Sequence, residues 1–431
     1  MKKSSIFISV LVASMMMSSL YAAWAVEEYN QNYCTHKISD GNWEIGVYKY
    51  SDDKWSLGRP VGHNGSSYIA GSGVLDLRTV EADCGVVLKV SNNGALESIS
   101  GLTEVYLPDS LESTTGNTFH NCVNLTKAIL GSGMKKLGER AFYRCSSLSE
   151  VYLPEGLEEI QALAFDGLSK LVLTPEDFPS TLTTIGNCAF RNCSSITGDL
   201  VLPNFTNPNG GYQFEGTGLT SLTVPALENV AEGILFNAKN LKTFTCSPNV
   251  TNIGYRAFQN TPIVTFNPGE MRKLKTIGQE AFRGCTSLTT SFDLSKSQLE
   301  TVPTYAFVDL QKVKSIKFPK TLKHLGSECL GYNKTSRDVW FMGPPPTVDN
   351  SALKSNGGSW LLIAGCEFAD KWEESANVIP LEEGDAAKAL KLAAELGVTG
   401  VKPMGKWTYQ AGGYTHWVME ELPKATLISI Y

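Results

Sequence analysis

Residues 141–160 read AFYRCSSLSEVYLPEGLEEI, and close copies of this stretch recur along most of the 431-residue chain. Each copy contains an anchor residue, nearly always Phe, that is followed in most copies six positions later by Leu, Ile or Val. The anchors recur at a nearly constant spacing and are Phe119, Phe142, Phe165, Phe190, Phe214, Phe236, Phe258, Phe282, Phe307 and Leu330. A self-similarity of fixed period between about 20 and 50 residues is the signature of a solenoid.

Each unit is predicted to contain one short strand followed by a turn. In residues 148–154, LSEVYLP, Val151 and Leu153 alternate with Glu150 and Tyr152. This period of two is typical of a strand that has one apolar face and one free face. The Pro that follows ends the strand, because it cannot donate a hydrogen bond to a sheet.

The turn of the unit carries a recurring Ile-Gly pair, as in Ile185-Gly186, Ile253-Gly254 and Ile277-Gly278. We expect the glycine to permit a tight bend, since it adopts conformations that other residues avoid. One coil cannot bury its own apolar side. The anchor, Leu and Ile positions are therefore expected to form ladders through a stack of coils.

At these residues the chain resembles the BspA-like leucine-rich repeats, whose unit runs Leu-x-x-Ile-x-Leu-Pro, then Leu-x-x-Ile-Gly, then Ala-Phe-x-x-Cys. The resemblance is carried by AFYRCSSLSEVYLPEGLEEI (141–160), TIGNCAFRNCSSI (184–196), NIGYRAFQNTPI (252–263) and TIGQEAFRGCTSL (276–288). It implies an α/β-type repeat solenoid, a right-handed stack of coils in which each short unit supplies one strand and a turn or short helix. It also implies a surface or secreted protein that acts in adhesion and protein binding, without catalytic residues.

Residues 1–25 have the layout of a secretory signal peptide. Met1-Lys2-Lys3 supplies a basic end, residues 6–17 an apolar core, and Ala23-Trp24-Ala25 a small-x-small cleavage site. We therefore expect cleavage after Ala25 and a secreted or cell-surface chain that begins at Val26. No later run approaches the roughly 18 apolar residues needed to cross a bilayer, so no transmembrane anchor is predicted.

The charge of the chain argues against nucleic acid as a partner. The formal net charge is −6 and 19% of the residues are charged, so no basic field is available to neutralise phosphates. The composition is that of an ordinary protein surface. A solenoid can reach this length without one large core, because each coil contacts only its neighbours.

Residues 26–95 lack the repeat and contain alternating apolar runs between turn residues, which predicts several short strands. One interpretation is a β-rich N-terminal cap that covers the apolar end of the first coil. The other is a carbohydrate-binding sheet in which Trp43, Tyr48 and Trp55 stack on sugar rings. The cap is favoured, because aromatic residues are common wherever a small sheet needs apolar area.

Within the repeats, residues 96–340, the outward-facing strand positions form the candidate binding site. In three successive units these positions are Glu104, Tyr106, Lys127, Ile129, Glu150 and Tyr152. Further along, the same columns continue as Ser221, Thr223, Thr243, Thr245, Ser315 and Lys317. We expect the first six to line up on the concave sheet, where Tyr would supply anchoring contacts to a protein. The alternative is that Tyr and Thr simply favour exposed strands.

The chain has ten cysteines, an even number that invites disulfides in a secreted protein. Four of them stand three positions after the anchor, at Cys122, Cys145, Cys193 and Cys285, where other units carry Leu or Thr. This interchange predicts a small buried core position. A bridge between Cys122 and Cys145 of adjacent coils stays open as an alternative.

No motif points to catalysis, a metal or a cofactor. The five His residues are scattered and no Cys-x-x-Cys pair is present, so a zinc site is not predicted. The sequence also lacks a Gly-x-Ser-x-Gly elbow, a phosphate-binding loop and a His-Glu-x-x-His motif. The chain is therefore predicted not to be an enzyme.

Residues 341–431 are predicted to form a closing coil followed by a mixed C-terminal cap or tail. Asp385 opens a helix with apolar residues at helical spacing, and Gly397 ends it. The alternative for this segment is a secretion or surface-attachment signal, although it contains no sorting motif that we recognise.

The sequence thus predicts a secreted or surface solenoid that binds a protein of a host cell, a neighbouring cell or the extracellular matrix. The alternative is binding of a glycan or cell-wall polysaccharide through the aromatic N-terminal module. Exposure of the aromatic residues separates the two hypotheses. Exposed Tyr106 and Tyr152 favour a protein partner, whereas exposed, coplanar Trp43 and Trp55 favour a sugar.

Overall fold

A computed structural model describes residues 23–31, 34–51, 54–57, 69–90, 93–266, 268–289, 291–349, 351–407 and 415–423. The chain divides into two compact units, Met1–Thr181 and Leu182–Tyr431. The predicted signal peptide, apart from its end at Ala23-Trp24-Ala25, lies outside the described residues.

The elements of the first unit are β1 (Ala25–Gln31), β2 (Cys34–Ser39), β3 (Glu44–Ser51), β4 (Lys54–Leu57), β5 (Ile69–Ala70), β6 (Gly73–Asp76), α1 (Val80–Cys84), β7 (Leu88–Lys89), β8 (Leu102–Tyr106), β9 (Lys127–Ile129), β10 (Lys136–Leu137), β11 (Glu150–Tyr152) and β12 (Glu159–Ile160). Strands β1 to β4 pair in order as an antiparallel sheet, with β5 on β3 and β7 parallel to β4. A second sheet has the order β6-β8-β9-β11 and is parallel throughout. Strands β10 and β12 pair in parallel on another side of each coil.

The second sheet shows that the repeat is a coil, because each turn of the stack adds one strand to this sheet. Val105 pairs with Ala128, and Ala128 with Val151, so equivalent residues of successive units lie side by side. All three side chains are buried. The anchors stack behind them, with the ring centroids of Phe119 and Phe142 5.1 Å apart and an interplanar angle of 7°. The predicted solenoid is confirmed, and its coils close mainly through turns, with short 3-10 helices at Pro175–Asp177 and Pro268–Glu270.

The described cysteine side chains are all free thiols, and most are buried: Cys84, Cys122, Cys145, Cys188, Cys193, Cys246, Cys285, Cys329 and Cys366. The predicted core position three positions after the anchor is confirmed, since Cys122, Cys145, Cys193 and Cys285 are all 0% exposed. The alternative of a Cys122–Cys145 bridge is not what the structure shows.

The Ile-Gly pair acts differently from the expected tight bend. Gly278 does not have a positive φ, but a Cβ built on it would lie 2.3 Å from the Tyr255 nitrogen of the preceding coil. Gly138, which follows Leu137 at the same place in the first unit, would meet the Thr115 oxygen at 2.0 Å. The glycine is therefore required for close approach of two backbones. Non-glycine residues with positive φ, such as Arg140 at 52°, make the bends.

The strands of the second unit are β13 (Thr184–Gly186), β14 (Thr197–Val201), β15 (Asn207–Asn209), β16 (Gly218–Val224), β17 (Asn229–Val230), β18 (Thr243–Cys246), β19 (Asn252–Ile253), β20 (Thr276–Ile277), β21 (Phe292–Asp293), β22 (Thr301–Val302), β23 (Ser315–Phe318), β24 (His324–Leu325), β25 (Arg337–Phe341), β26 (Thr347–Val348), β27 (Trp360–Ala364), β28 (Val378–Ile379), β29 (Val401–Trp407) and β30 (Trp417–Glu421). Its α-helices are α2 (Ala369–Glu373) and α3 (Asp385–Leu396), and it has 3-10 helices at Pro268–Glu270 and Cys366–Phe368.

The second unit repeats the coil architecture. Its parallel ladders run β14-β16-β18, β17-β19-β20 and β22-β24-β26, while β13 pairs with β15. The largest sheet has the order β21-β23-β25-β27-β30-β29-β28. In it, β29 is antiparallel to both of its neighbours, β30 and β28. Phe258, Phe282 and Phe307 form the anchor ladder, with successive centroids 5.2 and 5.6 Å apart.

Helix α3 covers the outward face of the largest sheet at its C-terminal end, and we call α3 with β28, β29 and β30 the C-terminal module. The helix begins at Asp385 and is capped at Gly397, which has a φ of 71°, as the sequence predicted. Ala389 and Leu392 of the helix pack against Leu361 of β27, in a cluster that also contains residues of β30. The C-terminal module therefore extends the sheet by three strands and covers its outward face with α3.

Candidate functional site

The six predicted site residues lie in two columns on the outward face of β8, β9 and β11. One column pairs Glu104 with Lys127 and Lys127 with Glu150, while the other pairs Tyr106 with Ile129 and Ile129 with Tyr152. We call this surface the strand face. Its residues alternate with buried Val105, Ala128 and Val151 because successive side chains of a strand point to opposite sides. The predicted alignment is confirmed, whereas a role of these residues in binding stays a prediction.

The side chains of the charged column already have polar partners on the strand face. Lys127 Nζ lies 2.7 Å from Glu150 Oε1, and the Tyr106 hydroxyl donates a hydrogen bond of 2.8 Å to Glu104 Oε2. Burial, followed by the hydrogen bond to Glu104, raises the pKa of Tyr106. The phenol is therefore a neutral donor at physiological pH.

Strand β6 adds two positions to the same columns. Val74 pairs with Glu104, and Asp76 pairs with Tyr106. Asp76 accepts hydrogen bonds from Arg78, whose guanidinium carbon lies 4.4 Å from the centroid of the Tyr106 ring. The sequence pattern placed these residues in the cap because no anchor Phe precedes them. The alternation of apolar and polar residues in Gly73-Val-Leu-Asp-Leu77 indicates the strand that carries them.

Exposure increases along the strand face from β8 to β11. Tyr106 is half-buried beneath Arg78, while Tyr152 is 38% exposed and is among the largest exposed hydrophobic side chains of the described chain. Burial and the nearby carboxylates of Glu155 and Asp109 raise the pKa of Tyr152. The strand face thus offers an accessible aromatic residue on β11, next to side chains that are already ordered by their partners.

In the second unit the predicted hydroxyl columns also lie in register. Ser221 pairs with Thr243 and Thr223 with Thr245. Asp199, which the sequence pattern did not place in these columns, accepts hydrogen bonds from Ser221 at 2.9 Å and from the neighbouring Thr220. This surface is therefore polar and internally hydrogen-bonded.

The last predicted positions of the columns lie beside the C-terminal module. Lys317 pairs with Trp340 and places its Nζ 5.2 Å from the centroid of the indole ring, while Ser315 pairs with Asp338. The next strand carries Leu361 and Ile363 in the same columns, and α3 buries both. The accessible part of this face ends at Trp340.

The N-terminal aromatic residues do not form the platforms that the glycan hypothesis requires. Trp43 is 0% exposed and donates its indole hydrogen to the Val74 carbonyl at 2.7 Å. Trp55 is 7% exposed and contacts His36 edge-on. Tyr48 is half-buried. The hypothesis of Trp43 and Trp55 as exposed stacking platforms is therefore wrong, because both rings pack inside the small N-terminal sheet.

The buried cysteine thiols have raised pKa values, and the described residues contain neither a metal-binding cluster nor a membrane-spanning helix. Burial raises the pKa of the Cys122 thiol to about 11, and likewise raises the pKa values of Cys145 and Cys285. His120 Nδ1 lies 2.8 Å from Glu97 Oε1, and its ring stacks on Tyr143. Within the described residues, no group of three or more His, Cys, Asp or Glu could hold a metal ion. Each described helix is also too short or too polar to cross a bilayer.

Three overlapping stretches of the chain match the BspA type leucine rich repeat region, in six copies, at residues 88–197, 172–289 and 270–356. These stretches together cover more than half of the 431 residues. None of the curated proteins matches the chain.

Solved structures of bacterial proteins are similar to this chain at low identity. A leucine-rich repeat protein of T. pallidum is 19% identical to this chain, and the two superpose with a TM-score of 0.35. The alignment covers 61% of this chain and 91% of the T. pallidum chain. A leucine rich cell surface protein of Faecalibacterium prausnitzii A2-165 is 15% identical, with coverages of 91% and 97% and a TM-score of 0.33. The pneumococcal vaccine antigen PcpA is 14% identical, with coverages of 71% and 93% and a TM-score of 0.36. Scores this low carry no argument about function.

Proposed function

Because this chain belongs to the BspA-type leucine-rich repeat family, we propose that it is a protein-binding solenoid whose partner docks on the strand face of the first unit. The proposal is supported chiefly by one observation. Tyr106, Ile129 and Tyr152 form one continuous column beside a charged column in which Lys127 pairs with Glu150 and Glu104 accepts a hydrogen bond from Tyr106. Binding to such a surface requires little additional desolvation or ordering of charged side chains.

The composition of the face favours a protein over a sugar or a nucleic acid. Tyr is enriched among the residues that dominate protein interfaces, because it combines a large apolar area with a hydroxyl group. Tyr152 is exposed enough to enter a pocket on a partner, whereas Trp43 and Trp55 are buried. The paired charges of Lys127 and Glu150 would then lie at the rim of the contact.

We further propose that the chain is secreted or held at a cell surface, that it acts in adhesion to a host-cell, neighbouring-cell or matrix protein, and that it catalyses no reaction. The basic and apolar layout of residues 1–25 supports secretion. The raised pKa of the buried thiols argues against these cysteines as catalytic nucleophiles, because a thiolate rather than a thiol acts as the nucleophile.

The proposal can be tested with residues 26–431 on parallel arrays of extracellular-matrix proteins and glycans. The test variant is Tyr106→Ala with Tyr152→Ala. The matched control is Tyr332→Ala, since Tyr332 is 40% exposed but lies at a turn of the second unit. We expect protein ligands whose affinity falls at least tenfold in the double variant and is unchanged in the control. Glycan ligands bound equally by all three proteins would refute a protein partner on the strand face.

A further inference from the structure

A cluster of fully buried polar side chains lies between the last coils of the second unit. Asn333, Arg337 and Trp360 are each 0% exposed. Arg337 and Trp360 are paired neighbours on β25 and β27, and the guanidinium carbon lies 5.5 Å from the centroid of the indole ring. None of these residues contributes to the strand face of the first unit.

The hydrogen-bonding groups of this cluster are only partly satisfied. Arg337 Nη2 donates to the Leu310 carbonyl at 2.9 Å, and Asn333 Nδ2 donates to the Leu330 carbonyl. Within the described part of the chain, Arg337 Nε, Arg337 Nη1 and Trp360 Nε1 have no hydrogen-bond partner, and neither does Asn333 Oδ1. Three unpartnered donor atoms therefore accompany a single unpartnered acceptor.

The cluster also carries a net positive charge. Burial lowers the pKa of Arg337 to about 10, which leaves the guanidinium protonated at neutral pH. The adjacent carboxylate of Asp338 accepts hydrogen bonds from Trp340 Nε1 at 2.6 Å and from Ser315 Oγ on the outward side of the sheet. Burial lowers the pKa of His416, which stacks on Trp360, to about 4, so this imidazole is neutral.

We propose that Arg337 and Trp360 bind one small monovalent anion, of the size of chloride, inside the second unit. A buried cation without a paired anion is costly, and buried N–H groups without acceptors add to that cost. A water molecule would accept hydrogen bonds from these donors but would leave the charge uncompensated. An anion supplies both the acceptor and the charge.

The position of the site gives the anion a structural role. β25 belongs to a repeat coil, whereas β27 pairs with β30 of the C-terminal module. An anion held by Arg337 and Trp360 would therefore join the coil stack to the strands that support α3. Its loss would loosen the module that covers the outward face of this sheet.

The direct test uses the full chain crystallised in sodium bromide, with anomalous diffraction collected at the bromine edge. We expect a peak within hydrogen-bonding distance of Arg337 Nε or Nη1 and Trp360 Nε1. Absence of a peak there, or peaks on the surface from an adventitious ion only, overturns the proposal. In that case a water molecule, or a reoriented Asn333 amide, supplies the missing partner.

A solution measurement tests the same site without crystals. The thermal midpoint of the wild type should rise with sodium chloride and saturate, relative to sodium methanesulfonate at equal ionic strength, whose anion is larger than the one proposed. Arg337→Met should abolish this difference, while the control Arg283→Met, at a half-exposed arginine, should retain it. Equal midpoints of the wild type in the two salts would contradict the proposal even if Arg337→Met fails to fold.

Discussion

The thiol of Cys145 donates a hydrogen bond of 3.0 Å to the backbone carbonyl of Phe119, the anchor of the preceding coil. The Cys285 thiol likewise donates a hydrogen bond of 3.1 Å to the backbone carbonyl of Phe258. The position three places after the anchor therefore fills the core and also ties neighbouring coils together. Where Thr occupies the position, as at Thr261, its hydroxyl donates instead to the anchor carbonyl of its own coil, Phe258, at 2.8 Å.

Replacement of Cys145 should show how much this position contributes to stability. Cys145→Ala removes both the sulfur volume and the inter-coil hydrogen bond, and we expect a loss of about 1–2 kcal/mol in the free energy of unfolding. Cys145→Thr keeps a small side chain with a donor, so its loss should be smaller. Urea unfolding of both variants measures the difference. Equal losses would show that the hydrogen-bonding capacity of this position is unimportant.

Thiol labelling should follow burial. The pKa of Cys122 is raised to about 11 by burial, so only about one thiol in a thousand is ionised at pH 8. Cys366, which is exposed, is the internal control. In the native state we expect rapid labelling of Cys366 and protection of Cys122, as measured by peptide mass mapping. Similar labelling rates at the two residues would argue against the packed coil interior.

Two glycines of the first unit should respond in opposite ways to an added methyl group. A Cβ at Gly138 would lie 2.0 Å from the Thr115 oxygen, whereas at Gly156 the nearest atom is 3.5 Å away. Gly138→Ala should therefore destabilise the chain by about 1–3 kcal/mol through overpacking. Gly156→Ala should be neutral or stabilising by less than about 1 kcal/mol, because it restricts the unfolded chain. The shift in the urea midpoint checks both, and a neutral Gly138→Ala would contradict the role assigned to the Ile-Gly glycine.

The ion pair on the strand face should matter little for folding. Lys127 and Glu150 are 29% and 61% exposed as side chains, and pairs in such positions contribute about 0.2–1 kcal/mol. A double-mutant cycle with Lys127→Ala and Glu150→Ala should therefore give a coupling energy below about 1 kcal/mol that decreases with salt. A much larger coupling would mean that binding defects of these variants report on folding.

Acid should weaken the C-terminal module through His416. Its Nδ1 accepts from the Trp360 amide and its Nε2 lies 2.8 Å from the Leu353 carbonyl, an arrangement of the neutral ring. Since burial lowers the folded pKa from 6.5 to about 4, its stabilising contribution is complete above pH 6.5 and is lost as the pH falls toward 4. The shift corresponds to about 3 kcal/mol.

The matched variant for this prediction is His416→Phe, which keeps a ring to stack on Trp360 but cannot titrate. Chemical unfolding between pH 7 and 4 should show a steeper loss of stability in the wild type than in the variant. Parallel pH profiles would place the acid sensitivity at other groups.

The period of the sequence was sufficient to predict the strand face. Glu104, Lys127 and Glu150 are separated from one another by one full coil each, so equivalent side chains of parallel strands must lie next to one another. Alternation along a strand then separates them from the buried positions. These two regularities are local, and the sequence contains both.

Other features depend on packing that no local pattern records. Trp43 was predicted to lie in a cap or in a sugar-binding sheet, but its sequence context did not indicate whether the ring would be covered, and the structure buries the indole, which donates to the Val74 carbonyl. Helix α3 was predicted from its spacing and caps, yet its docking on Leu361 depends on a partner strand far away in the sequence. Strand β6 lies where short strands were predicted, but its place in the sheet of the repeats was not predicted, because pairing rather than an anchor Phe puts it there.

The way in which the largest sheet ends also bears on aggregation. A stack of parallel coils finishes in an open strand edge, and such an edge can recruit identical chains end to end. Here the chain direction reverses at β29, and the outermost strand, β28, consists only of Val378 and Ile379. So short an edge offers few backbone groups to an incoming copy. The C-terminal module should thus limit the end-to-end association of copies through the edge of this sheet.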